Sequence, residues 1–184
     1  MNSKRIIQTA QVCSIRHHTN LIREFEFKME NPDAIDFKAG QFLMLHIPSK
    51  TGEKDILRAY SLASGEQNRT QFRLIIKYIE NGIASDYFWK LELHQQVRFT
   101  APFGKLYFPD TPSSKLYFLS TGSGLAPHLS YIETFMEKYP QSEFHFLIGV
   151  RTQNDFFFTD YLNNKQKQFQ NFHAQFISNH VRSL

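Results

Sequence analysis

The chain contains little cysteine, proline or glycine: its 184 residues include one cysteine, seven prolines and eight glycines. The single thiol, Cys13, excludes an internal disulfide and a four-thiolate iron–sulfur cluster. We expect it to pack as a small apolar side chain in the first strand. So few prolines and glycines exclude a collagen-like or low-complexity segment.

Long apolar runs, blocks of one charge and metal-ligand spacings are also missing. No apolar stretch approaches membrane-spanning length and the first residues lack a signal-peptide core, so we expect a cytoplasmic protein without membrane insertion. The net charge of +4 is scattered, which argues against nucleic-acid binding. It suits an anionic nucleotide or an acidic electron-transfer partner, or serves only solubility. The eight histidines show no metal-ligand spacing, so no metal site is predicted.

The first part of the chain reads as strands separated by turns. Hydrophobic residues (41%) and aromatic residues (15%) suffice for a real core. Six short segments carry alternating, β-branched or aromatic residues, which predicts a small antiparallel barrel. The segments are 6–14, 22–29, 41–47, 59–63, 71–79 and 96–100. A short helix is predicted at 86–91, with Ser85 as its N-cap.

The pattern changes after a proline-containing boundary, Pro109–Ser114. Apolar segments at 115–120, 144–150 and 173–178 predict strands, and they alternate with predicted helices at 127–139 and 159–169. Strands that alternate with helices imply a parallel sheet. The sequence therefore predicts a mixed β and α/β protein, with an antiparallel barrel in residues 1–108 and a parallel α/β domain in residues 109–184.

The most informative segment is Arg58-Ala59-Tyr60-Ser61-Leu62-Ala63-Ser64. Arg58 can grip a phosphate, Tyr60 can cover a planar ring, and a serine hydroxyl can hydrogen-bond a ring nitrogen or carbonyl. An ordinary edge strand is the alternative. A molecule with a pyrophosphate and a flat heterocycle, such as a flavin dinucleotide, would satisfy all three groups.

Two further segments predict phosphate binding. Asn81–Ser85 precedes the short helix, whose first N–H groups form an anion site. Ser120-Thr121-Gly122-Ser123-Gly124-Leu125-Ala126-Pro127 joins an apolar strand to a helix, with glycines for close backbone approach and Pro127 at the first helical position. A plain capped helix is the alternative for the first segment.

In order, these motifs resemble the ferredoxin–NADP reductase superfamily, and the bacterial ferredoxin/flavodoxin reductases within it. The resemblance implies that Arg58 contacts the FAD pyrophosphate, that Tyr60 stacks on the isoalloxazine, and that Ser61 lies near the flavin N5; Tyr60 and Ser61 are thus the implied catalytic residues. It also implies contacts of NADP or NAD phosphates with Arg151. The full implied cofactor-binding set is Arg58, Ala59, Tyr60, Ser61, Ile76, Lys77, Tyr78, Gly82, Ile83, Ala84, Ser85, Thr121, Gly122, Ser123, Gly124, Pro127, Val150 and Arg151.

The implied function is that of an FAD-dependent oxidoreductase, which moves electrons between NAD(P)H and a ferredoxin or flavodoxin by hydride transfer to the flavin. The alternative is a shortened, non-catalytic flavin-binding or interaction protein of the same fold, because only a β-α-β-α-β part of the family's nucleotide domain is present. We then expect an open, apolar strand at 116–120, which a second chain could cover. Asn179 stands where NADP-preferring relatives often carry Arg, which leaves NADP against NAD open; His180 and Arg182 are possible substitutes.

Overall fold

The first half of the chain forms a six-stranded antiparallel sheet in the computed structural model, which describes residues 6–49, 51–52 and 54–178. The strands are β1 (Gln8–His17), β2 (Ile22–Asn31), β3 (Phe42–Ile47), β4 (Ile56–Ser61), β5 (Gln71–Lys77) and β6 (Gln96–Phe103). They pair in the order β4-β3-β6-β1-β2-β5, and a helix α1 (Ile83–Trp89) follows β5. The six strands predicted from the sequence are all present, within a few residues of the predicted bounds.

Alternation places one side of each strand in a shared core. In β3, Leu43, Leu45 and Ile47 are buried, whereas the residues between them are only half-buried. The sheet curls so that its outer strands approach each other, and the Ala63 N–H donates to the Arg73 carbonyl oxygen at 2.9 Å. This curling hides the sheet edges that an open sheet would expose.

The second half forms a parallel three-stranded sheet with helices. Its elements are β7 (Lys115–Thr121), α2 (Ala126–Phe135), β8 (Glu143–Val150), α3 (Thr159–Gln168) and β9 (Phe172–Ser178), and the strand order is β7-β8-β9. The predicted mixed β and α/β fold is therefore confirmed. The predicted open edge at β7 is also confirmed, since β8 is its one partner in the described residues.

The two halves share a hydrophobic core. Four barrel residues pack in the same cluster as the side chains of α2 and β8: Ile22, Ala39, Ala63 and Ile75. Hydrogen bonds reinforce the junction, because Ser130 Oγ donates to the Ser64 carbonyl oxygen (2.7 Å) and the Tyr131 hydroxyl donates to that of Leu106 (2.9 Å). The α/β half thus completes its packing on the barrel.

Two local predictions were wrong. Cys13 is exposed rather than packed in the core, because Ala10 and Val12 point into the barrel core and the alternation of the strand turns the next side chain to the opposite face. Helix α1 begins at Ile83, three residues earlier than predicted. Over the described ranges, no helix is long and apolar enough to cross a membrane.

Candidate functional site

Strand β4 presents a cation beside an aromatic ring. Arg58 is exposed, its Nη1 donates to the Leu57 carbonyl oxygen at 2.9 Å, and it forms no ion pair with any described residue. Tyr60 is half-buried and packs edge-on against Phe88 of α1, with ring centroids 5.1 Å apart. Burial raises the pKa of Tyr60 to about 12, although the charge of Arg58 acts in the opposite direction. The phenol is therefore neutral at physiological pH, and the Arg58 guanidinium can bind an anion.

Of the other two predicted residues of β4, Ala59 lies between this pair and Ser61 follows it. Ala59 is exposed, and Ser61 is half-buried opposite Phe42 of β3. Beyond the end of the strand, Leu62 enters the barrel core whereas Ala63 enters the core shared with α2, as expected for side chains that alternate between two faces.

The turn before α1 differs from the prediction. Ser85 is not the N-cap: Gly82 occupies that position, and Ser85 is buried inside the helix with its Oγ accepting a hydrogen bond from the Ile79 N–H (2.8 Å). Because the helix begins at Ile83, Ser85 lies within its first turn, and its hydroxyl stabilises the preceding turn through this hydrogen bond. A Cβ on residue 82 would lie 2.9 Å from the Ile79 carbonyl oxygen, so the tight turn requires glycine there. Ala84 packs on the barrel core.

The three predicted residues at the end of β5 point in different directions. Ile76 is 1% exposed in the barrel core, so only its backbone could reach a ligand. Tyr78 packs on Trp89 of α1 with ring centroids 5.0 Å apart, and the Arg23 guanidinium lies 4.3 Å from the Trp89 ring centroid. Lys77 points the other way, toward the α/β half.

A cavity of about 470 Å³ lies where the barrel meets the α/β half. It brings together six of the residues predicted from three separate motifs: Lys77, Thr121, Gly122, Ser123, Val150 and Arg151. Gly124 and Pro127 do not line it, and Ile83 lines a different cavity of about 480 Å³ with Ile47 and Tyr87.

The backbone of the glycine turn that lines the cavity is accessible to a ligand. Gly122 has φ +51°, which favours glycine, and a Cβ built there would meet no atom within 4 Å. The turn is a short 3₁₀ segment, Gly122–Leu125, which leads into α2. Pro127 is consequently the second residue of α2 rather than the predicted first, since Ala126 precedes it in the helix.

The cavity is positively charged. Lys77 and Arg151 line it and form no ion pair within the ranges that the structure describes, so both can meet an anion. Asp155 also lines the cavity, but its Oδ2 accepts hydrogen bonds from the Thr152 N–H and hydroxyl, each at 3.0 Å. Two cations, two hydroxyls and an exposed glycine turn suit phosphate groups.

The sequence missed part of the cavity wall. Leu21 and Ile22 at the start of β2, and Ile177 in β9, supply apolar lining. Nothing in their local sequence marks them, because only the packing of the barrel against the α/β half brings them to the cavity.

Comparison with known proteins matches both halves. A family described as "Oxidoreductase FAD-binding domain" matches residues 9–108, and one described as "Oxidoreductase NAD-binding domain" matches residues 118–182. The chain belongs to the oxidoreductase FAD-binding domain family. Among curated relatives of this FAD-binding-domain chain, ferredoxin–NADP reductase B of Sorangium cellulosum is 30% identical over 83% of the chain and 62% of its own length. Ferredoxin–NADP reductase of Pseudomonas aeruginosa is 30% identical over 85% of the chain and 59% of its own length.

A solved structure agrees with the fold. The ferredoxin NADP+ reductase of Neisseria gonorrhoeae, solved with bound FAD and NADP, superposes on this FAD-binding-domain chain with a TM-score of 0.82 at 25% identity, covering 97% of this chain and 70% of its own. The chain spans about six tenths of the length of the two curated reductases. Asn179, which stands where NADP-preferring relatives often carry Arg, and its possible substitutes His180 and Arg182 lie outside the described residues.

Proposed function

We propose that this chain is an FAD-dependent oxidoreductase that transfers electrons between NAD(P)H and a ferredoxin or flavodoxin type acceptor. The observation that carries the proposal is the cationic cavity at the junction, because it unites the end of β5 with the glycine turn and Arg151. The same proposal assigns FAD binding to residues 1–108 and nucleotide binding to residues 109–184. It places the protein in the cytoplasm.

The flavin would lie along β4 and the turn before α1. The exposed guanidinium of Arg58 binds the pyrophosphate, and the neutral ring of Tyr60 covers the isoalloxazine. The tight glycine turn at Gly82 lets backbone N–H groups approach the same pyrophosphate. Bound FAD would accept a hydride and release its electrons one at a time. The Ser61 hydroxyl is the protein group proposed to hydrogen-bond the reactive nitrogen of the flavin.

The nicotinamide dinucleotide would enter the junction cavity. Lys77 and Arg151 neutralise its phosphates, and Thr121 and Ser123 donate hydroxyl hydrogen bonds beside the open Gly122 turn. Leu21 and Ile22 line the same cavity with apolar side chains and would exclude water from a nicotinamide ring bound there. The role of these residues is to bind the electron donor and to orient it toward the flavin.

Flavin binding is tested by titrating purified protein with FAD and following flavin fluorescence. We expect Arg58→Met to weaken binding at least about tenfold, because a charge-assisted phosphate contact is lost. Arg69→Met is the matched control, since Arg69 is an exposed cation paired with Asp36 at 3.0 Å and is not part of the predicted site. Equal affinity in both variants would remove Arg58 from the site.

Electron input is tested by adding NADPH or NADH anaerobically to the FAD-loaded protein and recording the visible spectrum. We expect bleaching, slowed in Lys77→Met and Arg151→Met through weaker donor binding. Lys28→Met, an exposed lysine on β2, should behave like the parent chain. Failure of both donors to bleach bound FAD would favour the non-catalytic flavin-binding alternative.

The acceptor is proposed from charge. A net charge of +4 favours encounter with an acidic electron-transfer protein. Reduction of an added ferredoxin or flavodoxin should slow as salt is raised, because salt screens the encounter. A rate that is independent of salt would contradict an electrostatically steered partner.

A further inference from the structure

One face of the parallel sheet is left bare by the helices. Alternate residues of β8 and β9, such as Phe146 and Phe172, are buried on the helix-covered face. On the other face Tyr117 is 61% and Leu119 is 70% exposed. Side chains on this bare face are therefore accessible to solutes.

Strand register aligns three rings across that face. Tyr117 of β7 pairs with His145 of β8, and His145 pairs with His173 of β9. The Tyr117 and His145 rings stack at 4.9 Å, and the His145 and His173 rings at 4.7 Å, centroid to centroid. The two imidazoles come from distant parts of the sequence, so sequence spacing could not reveal them.

A carboxylate completes the group. Glu143 lies two residues before His145 in β8 and therefore on the same face, with its Oε2 3.0 Å from His145 Nε2. One ligand atom from each of Glu143, His145 and His173 lies within 4.8 Å of the others.

We propose that Glu143, His145 and His173 form a binding site for a divalent transition-metal ion of the Zn²⁺ class. A site with two imidazoles and one carboxylate binds such ions in preference to Mg²⁺ or Ca²⁺, which favour oxygen ligands. In a tetrahedral zinc site the ligand atoms lie about 3.4 Å apart, so small rotations of these three side chains would bring their ligand atoms into place. The site links β8 to β9 and leaves a coordination position open to solvent.

Lys115 opposes the ion. Its Nζ lies 3.3 Å from Glu143 Oε2, so the ammonium and the metal compete for one carboxylate. This contact predicts a variant that improves binding, which an incidental surface histidine pair would not show.

The experiment is isothermal titration of the full chain, without added flavin, with ZnCl₂ in a non-chelating buffer. We expect one strong site in the parent, and affinity at least about tenfold weaker in His145→Ala, His173→Ala and Glu143→Gln. Lys115→Met should bind about two- to fivefold more tightly. His94→Asn is the control, because His94 is exposed and its φ of +68° suits asparagine.

Thermal melting supplies a second readout that also shows whether each variant folds. Zn²⁺ should raise the Tm of the parent and of His94→Asn but leave His173→Ala unchanged, because an ion that binds the native state stabilises it. Replacement of Zn²⁺ by Mg²⁺ should give no shift. Equal binding by parent and His145→Ala, or no strong binding by the parent, would overturn the proposal.

Discussion

The barrel and the α/β half differ in how they cover their sheet edges and in which residues form their cores. The barrel curls its sheet until the outer strands meet, and its core is built from its own residues together with α1. The α/β half has two open strand edges and one bare face in the described residues, and its core borrows four barrel side chains. We therefore expect the stability of the second half to depend on the first. The junction cavity is lined by residues of both halves, so it also requires that they stay packed together.

The largest expected effect comes from breaking the barrel core. Phe27 is fully buried and stacks on Phe72 with ring centroids 5.1 Å apart. We expect Phe27→Ala to lower the free energy of unfolding by about 3–5 kcal/mol, because it loses apolar burial and leaves a cavity. Urea unfolding followed by Trp89 fluorescence measures it. A loss in the barrel should unfold both halves together, and survival of the α/β half alone would contradict its dependence.

The next effect comes from forcing the junction apart. Gly40 has φ +91°, and a Cβ there would collide with the Leu106 carbonyl oxygen and the Tyr131 hydroxyl. We expect Gly40→Ala to cost about 2–4 kcal/mol, from overpacking and backbone strain.

Gly52→Ala is the control for Gly40→Ala. Gly52 has φ +75°, but nothing lies within 4 Å of the point where an added methyl group would stand, so the substitution should cost only about 1 kcal/mol. Hydrogen exchange should show that Gly40→Ala opens β7 to β9 before the barrel. Equal exchange in both halves would break the comparison.

A third effect is acid loosening of the junction. Arg73 of β5 pairs with Glu133 of α2 and also lies 3.5 Å from Glu24 of β2. Burial alone would raise the pKa of Glu24, but the hydrogen bond from His18 and the charge of Arg73 outweigh it and lower the pKa.

Because the folded pKa lies below the ordinary 4.5, Glu24 stabilises the native state above that value, and this contribution is lost as the pH falls through the folded pKa. Glu24→Gln should cost about 1–3 kcal/mol at neutral pH and flatten the acid limb of stability against pH. Urea midpoints at several pH values check this. An unchanged acid limb would remove Glu24 from the junction's stability.

The smallest effect is expected on the bare face of the α/β half. Leu119 is 70% exposed, so Leu119→Ala should change the free energy of unfolding by no more than about 0.5 kcal/mol. The same urea experiment measures it. A much larger loss in the purified chain would show that the face is covered in solution, for instance by a second chain, and sedimentation would then reveal the assembly.

Much of the fold could be predicted from the sequence because each element carries its own periodicity. The alternation in β3 and the helical spacing of α2 are local properties, and both elements begin within one residue of the predicted position, although α2 ends at Phe135 rather than at residue 139. The helix start at Ile83 was missed because a tight turn at Gly82 satisfied the backbone without a side-chain cap. Cys13 was misplaced because the sequence of β1 does not show which of its two alternating faces turns toward the core.

The site was predictable where a motif carries its own chemistry. Arg58, Tyr60 and the turn from Thr121 to Ser123 could be named from the sequence, since a cation, a ring and a flexible turn are properties of the residues themselves. Other members of the site could not be named. Ile22 reaches the cavity only because the barrel packs on the α/β half.

By itself the sequence determined the order of the elements, their type, and the residues able to bind a ring and phosphates, because hydrophobic period and side-chain chemistry are local. Only the tertiary structure decided which residues meet. It joined Lys77 to Arg151 across the junction, turned Ile76 inward, and set His145 beside His173 on a bare face. These outcomes depend on strand register and on packing between the halves, and both are fixed by contacts between residues far apart in the chain.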